Sequence, residues 1–430
     1  MTLLLWKGGI ARNRVPLSGW ADQCQVLRHT QSWVVALRAL WQIRCMTGRK
    51  SLIAAMLLAF GLTHSSAFAD AAQAMRTALD LAGGKDWDGA LAVAPSGIGY
   101  DIIEWQRLRD GKAGFADYQT FLTRHPDWPG LPLLREKGEA ALTGDEDPAV
   151  VVQWFATDLP QTGAGAVAHV RALLALGRIA EAETEALRAW SLLPFSESEQ
   201  AALIGLMPEA LSLADDLRLD RALWEGRTAE ARRMLPRVDE DLASLAQARL
   251  GLQEDAKGVT ALIEAVPEAR AGDAGLAHDR FIWRMKRDLY DEALEMILQR
   301  STSAGALGRP EAWAERRAVL ARYLMRRDRA AEAYEVASRH FLTEGQDFID
   351  LEFLAGFIAL RRLDDPAKAL AHFRHLETGV STPISTARAK YWQGRAEEAL
   401  GQDATASYKA AAQYQTAFYG LMAAEKLGLP

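Results

Sequence analysis

Two acidic clusters are the first residues of this chain whose types could do chemistry. They are Ser196–Glu199 (SESE) and Asp239–Leu242 (DEDL). Glycoside cleavage by paired carboxylates needs an acid with a raised pKa, held in a cleft beside the scissile bond. Both clusters instead stand where helices are predicted to begin, and acidic residues favour the first turn of a helix. We therefore predict that both clusters are solvated helix starts.

A histidine pair and a glycine-rich segment have spacings that could bind a metal or a dinucleotide. His372 and His375 are three residues apart on a predicted helix, which suits metal ligation, but no third ligand is apparent nearby in the sequence. The segment Gly163–Ala168 (GAGAVA) loosely matches a dinucleotide fingerprint, which works only between a strand and a helix. We predict packed or solvated histidines, a turn and helix start at GAGAVA, and no catalytic, cofactor-binding or metal-binding residue.

Tryptophan is frequent, and tryptophan rings can stack on sugars. On apolar helix faces, however, tryptophan more often packs between helices. We predict packing for most of these residues and single out Trp128, which lies between prolines in a turn, as the best candidate for stacking. The tryptophans concerned are Trp87, Trp105, Trp128, Trp154, Trp190, Trp224, Trp283, Trp313 and Trp392.

The elements that would position these residues are helices. Ala, Leu, Glu and Arg dominate, apolar residues recur every three or four positions, and alternating strand patterns are nearly absent. At the C-terminus an apolar stripe from Tyr408 to Ala424 predicts one continuous helix. Asp403 fits its N-cap, Lys426 its last turn and Gly428 the position after it.

A repeated unit organises the helices. A Gly or Asp stands at a turn, and an Ala follows five residues later inside the next helix, where a small side chain permits close packing. The last four units begin 40, 36 and 37 residues apart, close to the period of helical-hairpin repeats. The pairs predict an all-α solenoid of stacked, TPR-like helical hairpins: Gly177/Ala182, Gly226/Ala231, Asp288/Ala293, Asp328/Ala333, Asp364/Ala369 and Gly401/Ala406, with a degenerate first copy near Gly84.

The N-terminal region has the features of an export signal. A basic segment after Met46, an uncharged apolar run at Ser51–Leu62 and a small-x-small site ending at Ala69 occur in the order of a secretory signal peptide. We predict a signal peptide at 46–69, a spurious extension at 1–45 and a periplasmic mature chain from Asp70. No cysteine follows residue 45, so the mature chain has neither a disulfide nor a lipid-anchored N-terminus.

The net charge of the mature chain argues against some classes of binding partner. The sequence has 50 Lys and Arg residues and 56 Asp and Glu residues; residues 1–69 hold 8 and 1 of them, so 42 and 55 remain and the net charge is −13. Phosphate groups would repel such a protein. Nucleic acid and anionic membrane surfaces are therefore not expected as partners.

Four segments resemble the non-catalytic portion of the soluble lytic murein transglycosylases, periplasmic enzymes that cleave peptidoglycan. The resemblance covers roughly Asp70–Pro430 and implies a helical superhelix at 70–375 and a small helical linker domain at 376–430. It implies peptidoglycan glycan strands, and other cell-wall enzymes, as partners. The matching segments are FLTRHPDWPGLPLLREKGEAAL, RRMLPRVDEDLASLAQARLGL, DLEFLAGFIALRRLDDPAKALAHF and ARAKYWQGRAEEALG with TAFYGLMAAEKLG.

The family's catalytic signature is not among these segments. In the family a glutamate in a Glu-Ser-x-Phe motif of a lysozyme-like domain cleaves between N-acetylmuramic acid and N-acetylglucosamine and leaves a 1,6-anhydro ring; a Gly-Leu-Met-Gln motif follows. Here Glu197-Ser198 is followed by Glu199-Gln200, and Gly205-Leu206-Met207 by Pro208. We expect the catalytic domain to be missing and this chain to be inactive alone. The alternative is a stand-alone periplasmic repeat scaffold or a peptidoglycan-binding protein without enzyme activity.

Overall fold

The computed structural model describes residues 70–430. The expected extension at 1–45, the signal peptide at 46–69 and both cysteines, Cys24 and Cys45, lie outside the described residues. The chain divides into two compact units, one up to Arg107 and one from Leu108 to Pro430.

The described part of the first unit is helical. It contains α1 (70–83), α2 (Trp87–Val93) and most of α3 (Ile98–Arg109). A small apolar cluster holds these helices together: Ala78, Ala82, Ala90 and Ile103 are all buried in it.

The second unit continues with two short 3₁₀ helices, Leu235–Arg237 and Glu268–Arg270, and 21 α-helices. Their bounds are α4 (Phe115–Arg124), α5 (Leu131–Ala140), α6 (Pro148–Trp154), α7 (Gly163–Ala175), α8 (Ile179–Leu192), α9 (Glu197–Leu206), α10 (Pro208–Ser212), α11 (Asp215–Trp224), α12 (Thr228–Met234), α13 (Glu240–Gln253), α14 (Val259–Glu264), α15 (Ala274–Lys286), α16 (Tyr290–Arg300), α17 (Ala304–Leu307), α18 (Pro310–Arg326), α19 (Ala330–Ser338), α20 (Gly345–Arg362), α21 (Pro366–Thr378), α22 (Pro383–Ala399), α23 (Thr405–Ala412) and α24 (Phe418–Lys426).

Helical hairpins stack along this unit. The pairs α7–α8, α11–α12, α15–α16, α18–α19 and α20–α21 each pack together, and α11, α13, α15, α18 and α20 contact one another in succession. Residues 70–430 contain no strand. The predicted all-α class of stacked helical hairpins is therefore confirmed.

The turn of the repeated unit has the predicted backbone. Asp288, Asp328 and Asp364 have φ values of 58°, 59° and 51°, in the left-handed region that residues other than glycine rarely adopt. The glycines at the equivalent turns have φ near 70°. In five units the helix starts two residues after this position, which places the alanine on its inner face. The alanine of each of these five units is fully buried: Ala182, Ala231, Ala293, Ala333 and Ala369.

The last unit departs from this rule. Gly401 has the expected left-handed backbone, but α23 starts at Thr405, four residues later instead of two. The two extra residues rotate the helix relative to the turn. Ala406 lies inside the next helix, as predicted, but it is exposed and Ala404 is buried in its place, so the predicted packing role of Ala406 was wrong.

The predicted continuous helix after Asp403 was also wrong. The chain turns between Ala412 and Phe418, and α24 folds back so closely that a Cβ on Gly420 would lie 2.0 Å from the Tyr414 carbonyl oxygen. Phe418 is 67% exposed instead of continuing a buried stripe. The predicted C-terminal end holds, since Gly428 has a φ of 65°. The N-cap of α23 is Ala404 and not the predicted Asp403, which lies one residue earlier and accepts a hydrogen bond from the Thr405 amide at 2.9 Å.

Within the part of the chain that the structure covers, no helix combines the length and the apolar character needed to cross a bilayer.

Candidate functional site: a cavity lined by α6, α7 and α8

The glycine-rich segment builds the start of α7, as predicted. Thr162 caps this helix by accepting a hydrogen bond from the Gly165 amide at 3.0 Å. The buried Glu139 carboxylate lies at the same end and accepts from the Gln161 and Thr162 amides at 2.9 and 2.8 Å. A Cβ on Gly165 would lie 2.3 Å from Glu139 Oε2. The glycine therefore makes room for the chain's own carboxylate, which occupies the place where an external anion would bind.

A cavity of about 500 Å³ lies between α6, α7 and α8. This volume is in the range of small-ligand sites. Its apolar wall is formed by Val152, Phe155 and Leu173, and Leu159, 53% exposed, lies beside them. The turn after Leu176 brings α8 antiparallel to α7, so that polar side chains at the start and middle of α8 face this apolar wall.

His169 on α7 is the most unusual lining residue. Its side chain is 7% exposed, its ring packs on Phe155 with centroids 4.9 Å apart, and its Nδ1 has no hydrogen-bond partner. Burial lowers the pKa of His169; the Glu185 carboxylate opposes this effect, and the guanidinium groups of Arg178 and Arg188 add to it. The ring is therefore a neutral imidazole at neutral pH, with both a donor and an acceptor nitrogen.

Two Arg–Glu pairs on α8 form the polar wall. Arg178 donates from Nε and Nη2 to the two Glu181 oxygens at 2.7 and 2.6 Å. Arg188 does the same to Glu185, at 2.7 Å for both bonds, and its Nη2 also reaches the Pro160 carbonyl at 2.9 Å. Both pairs are bidentate, the strong and geometrically specific form of this interaction.

These contacts leave some hydrogen-bonding groups of the cavity lining free to bind a ligand. Neither Arg178 nor Arg188 uses Nη1 in the bonds just described, and His169 makes none. Each guanidinium charge is matched by its own carboxylate, and the imidazole is neutral. The cavity can therefore hold a molecule of its size that offers hydrogen-bond donors and acceptors together with an apolar face.

A second hollow, of about 750 Å³, lies beside Phe195 and the start of α12. Two of its polar groups are already engaged: Arg233 donates to the Gln200 side chain and the Phe195 carbonyl at 2.8 and 2.9 Å, and Glu199 accepts from the Ser196 amide at 2.7 Å.

Both acidic clusters cap helices, which confirms the prediction. Ser196 and Glu199 form a reciprocal capping box at the start of α9. The Asp239 carboxylate accepts from the Leu242 amide at 2.7 Å at the start of α13. Glu199 lines the second hollow, but its carboxylate is engaged in the cap of α9.

The tryptophans pack, as predicted. Trp190 and Trp313 are fully buried, and none of the nine is in the exposed class. Trp128, the candidate for stacking, is half-buried, and its ring contacts Phe121 edge-on at 5.3 Å and His125 at 4.7 Å.

Sequence reasoning missed the partners of the histidine pair. His372 and His375 on α21 both place Nδ1 on the buried Glu352 carboxylate of α20, at 2.7 and 3.0 Å. His340, from the segment before α20, brings its Nε2 to the same group at 2.9 Å. Residues 12 to 23 positions apart thus meet on one carboxylate, and spacing along one helix could not reveal it.

The carboxylate in this cluster is an acceptor. Burial alone would raise the pKa of Glu352, but hydrogen bonds from His340 and His372 and their charges override that effect and lower it to about 2. At neutral pH all three imidazoles therefore donate an N–H to it. Among residues 70–430, no group of three or more His, Cys, Asp or Glu side chains is arranged to hold a metal ion.

Comparison with known proteins identifies no family. No protein-family model matches the chain, and no curated protein matches it. Among solved structures it is similar to a chain of the crystal structure of the APC/C hetero-tetramer Cut9-Hcn1, with 14% identity over 82% of this chain and 74% of that chain and a TM-score of 0.25. A likeness at this score carries no argument about function.

Proposed function

We propose that this chain is the non-catalytic helical region of a soluble lytic murein transglycosylase and that it binds the glycan strands of peptidoglycan in the periplasm. Its role is to hold the glycan for cleavage, because the residues that resemble the family are those of its superhelix and linker. The predicted signal peptide and the acidic mature chain agree with export and with a partner other than nucleic acid.

The observation that carries this proposal is the structure formed by the most specific matching segment. Tyr391 and Trp392 on α22 lie next to Tyr419 on α24, with ring centroids 5.4 and 6.4 Å from the Tyr419 ring. Gly420 permits the close return of α24 described above. Residues far apart in the quoted motif thus form one aromatic cluster in one helical unit, which supports reading the motif as a linker domain.

Sedimentation with purified murein sacculi tests the proposal. We expect the purified protein to pellet with sacculi at physiological salt and to remain bound as the salt concentration rises, because exposed charges are screened and a neutral hydrogen-bonding contact is not. We also expect it to release no 1,6-anhydro-muropeptides by itself. Failure to pellet with sacculi would refute glycan binding and favour the protein scaffold, and release of anhydro-muropeptides would refute the non-catalytic assignment.

A further inference from the structure

The cavity at His169 differs from the other repeats in specific residues. An arginine before the helix and a glutamate three positions later recur as Arg178–Glu181, Arg227–Glu230 and Arg329–Glu332. That pair is a general capping feature of the repeat. Among the repeats within residues 70–430, that of α7 and α8 adds a buried histidine without a hydrogen bond, an aromatic ring against it and a cavity beside both.

The charge of the lining restricts the ligand. Glu185 is 5% exposed and Arg188 22% exposed, and each already satisfies the other. A charged group placed against this inner pair would lose its hydration without gaining an unpaired counter-charge, which is unfavourable at a buried position. A neutral ligand incurs no such penalty.

The remaining groups restrict it further. The Nη1 groups of Arg178 and Arg188 can donate. His169 Nδ1 is enclosed, so the ring offers a ligand its other nitrogen, Nε2, which donates or accepts according to the tautomer. Phe155 and Leu173, both buried, form an apolar wall opposite these groups. The cavity thus has one polar wall and one apolar wall. A compact ring that carries hydroxyl and amide groups on one side, and C–H groups and a methyl group on the other, matches these two walls.

From these features we propose that the cavity is a binding subsite for an uncharged acetamido sugar, the N-acetylglucosamine unit of a glycan. The choice of a sugar over other neutral amides rests on the proposed function. The neutral lining sets this unit apart from free N-acetylmuramic acid, whose lactyl carboxylate carries a charge.

Calorimetric titration of the purified protein with diacetylchitobiose, the disaccharide of N-acetylglucosamine, tests the inference. We expect saturable binding to one site and much weaker binding of both N-acetylmuramic acid, an anion, and the glucosamine disaccharide, a cation. His169→Phe keeps an aromatic ring against Phe155 but removes the ring nitrogen that would bond the sugar, so we expect an affinity about tenfold lower, the usual effect of losing one buried hydrogen bond. Equal affinity of the neutral and charged sugars, or no binding of diacetylchitobiose, would overturn the inference.

A matched pair of arginine variants covers the case in which His169→Phe does not fold. Arg178→Gln removes the pair at the cavity, and Arg329→Gln removes the equivalent pair of a later repeat. Arg178→Gln should weaken diacetylchitobiose binding severalfold, and Arg329→Gln should leave it unchanged. Equal effects of the two variants would refute a role for this cavity.

The outcome is separable from that of the proposed function. If the protein pellets with sacculi and His169→Phe and Arg178→Gln pellet equally well while neither changes diacetylchitobiose affinity, the cavity inference fails and glycan binding stands. If diacetylchitobiose binds with the predicted selectivity but the protein does not pellet with sacculi, the cavity inference stands and the proposed function fails.

Discussion

Replacing the buried Glu352 by glutamine should destabilise the hairpin of α20 and α21 in a way that depends on pH. The carboxylate is 3% exposed and accepts hydrogen bonds from His340, His372 and His375. Its pKa falls from the ordinary 4.5 to about 2, which corresponds to about 3 kcal/mol of stability. Glu352→Gln keeps the volume but loses this contribution and leaves imidazole N–H groups facing an amide.

The sign of the pH dependence follows from the lowered pKa. Because the folded state holds the proton less tightly than the unfolded chain, the contribution of Glu352 is complete above about pH 4.5 and is lost as the pH falls towards 2. The difference between the wild type and Glu352→Gln should therefore be about 3 kcal/mol at pH 7 and less than about half of that at pH 3.

Urea denaturation at pH 7 and pH 3 measures this difference, and hydrogen exchange at pH 7 locates the lost stability in α20 and α21. Glu335→Gln is the matched control, because Glu335 pairs with Arg339 at the surface and is 39% exposed. Such a pair contributes about 0–1 kcal/mol. A loss below about 1 kcal/mol for Glu352→Gln, or an equal loss at both pH values, would refute the reasoning.

Two further predictions concern packing and buried charge. Gly356→Ala on α20 would place a Cβ 2.6 Å from the Phe373 ring and should lower the free energy of unfolding by about 1–3 kcal/mol. Gly205→Ala on α9, where a Cβ would have no atom within 4 Å, should raise the free energy of unfolding by about 0.5–1 kcal/mol. Effects of equal sign in thermal melts would contradict this. Arg218→Ala would remove one of the two arginines that pair with the buried Glu230, the other being Arg227, and should cost about 1–3 kcal/mol; a loss under about 1 kcal/mol in urea denaturation would contradict it.

Local sequence was enough to predict the turns of the repeated unit and the capped starts of several helices. A left-handed backbone requires glycine or tolerates aspartate, so the residues at Gly177 and Asp328 reveal the turn by their type. The capping residues, such as Ser196 and Asp239, likewise act on amides only three positions away. Features of this kind depend on contacts within one helical turn, and residue order contains them directly.

The tertiary structure decided how separate hairpins meet. The return of α24 depends on the approach of Gly420 to the Tyr414 carbonyl, which no apolar stripe encodes. The Glu352 cluster and the cavity at His169 join side chains from different helices, and their burial, hydrogen bonds and charge balance exist only after those helices pack. The residue types alone predicted neither site. A histidine in the sequence can be buried without a partner or exposed to solvent, and only the packing of a neighbouring helix, which excludes water, decides between the two.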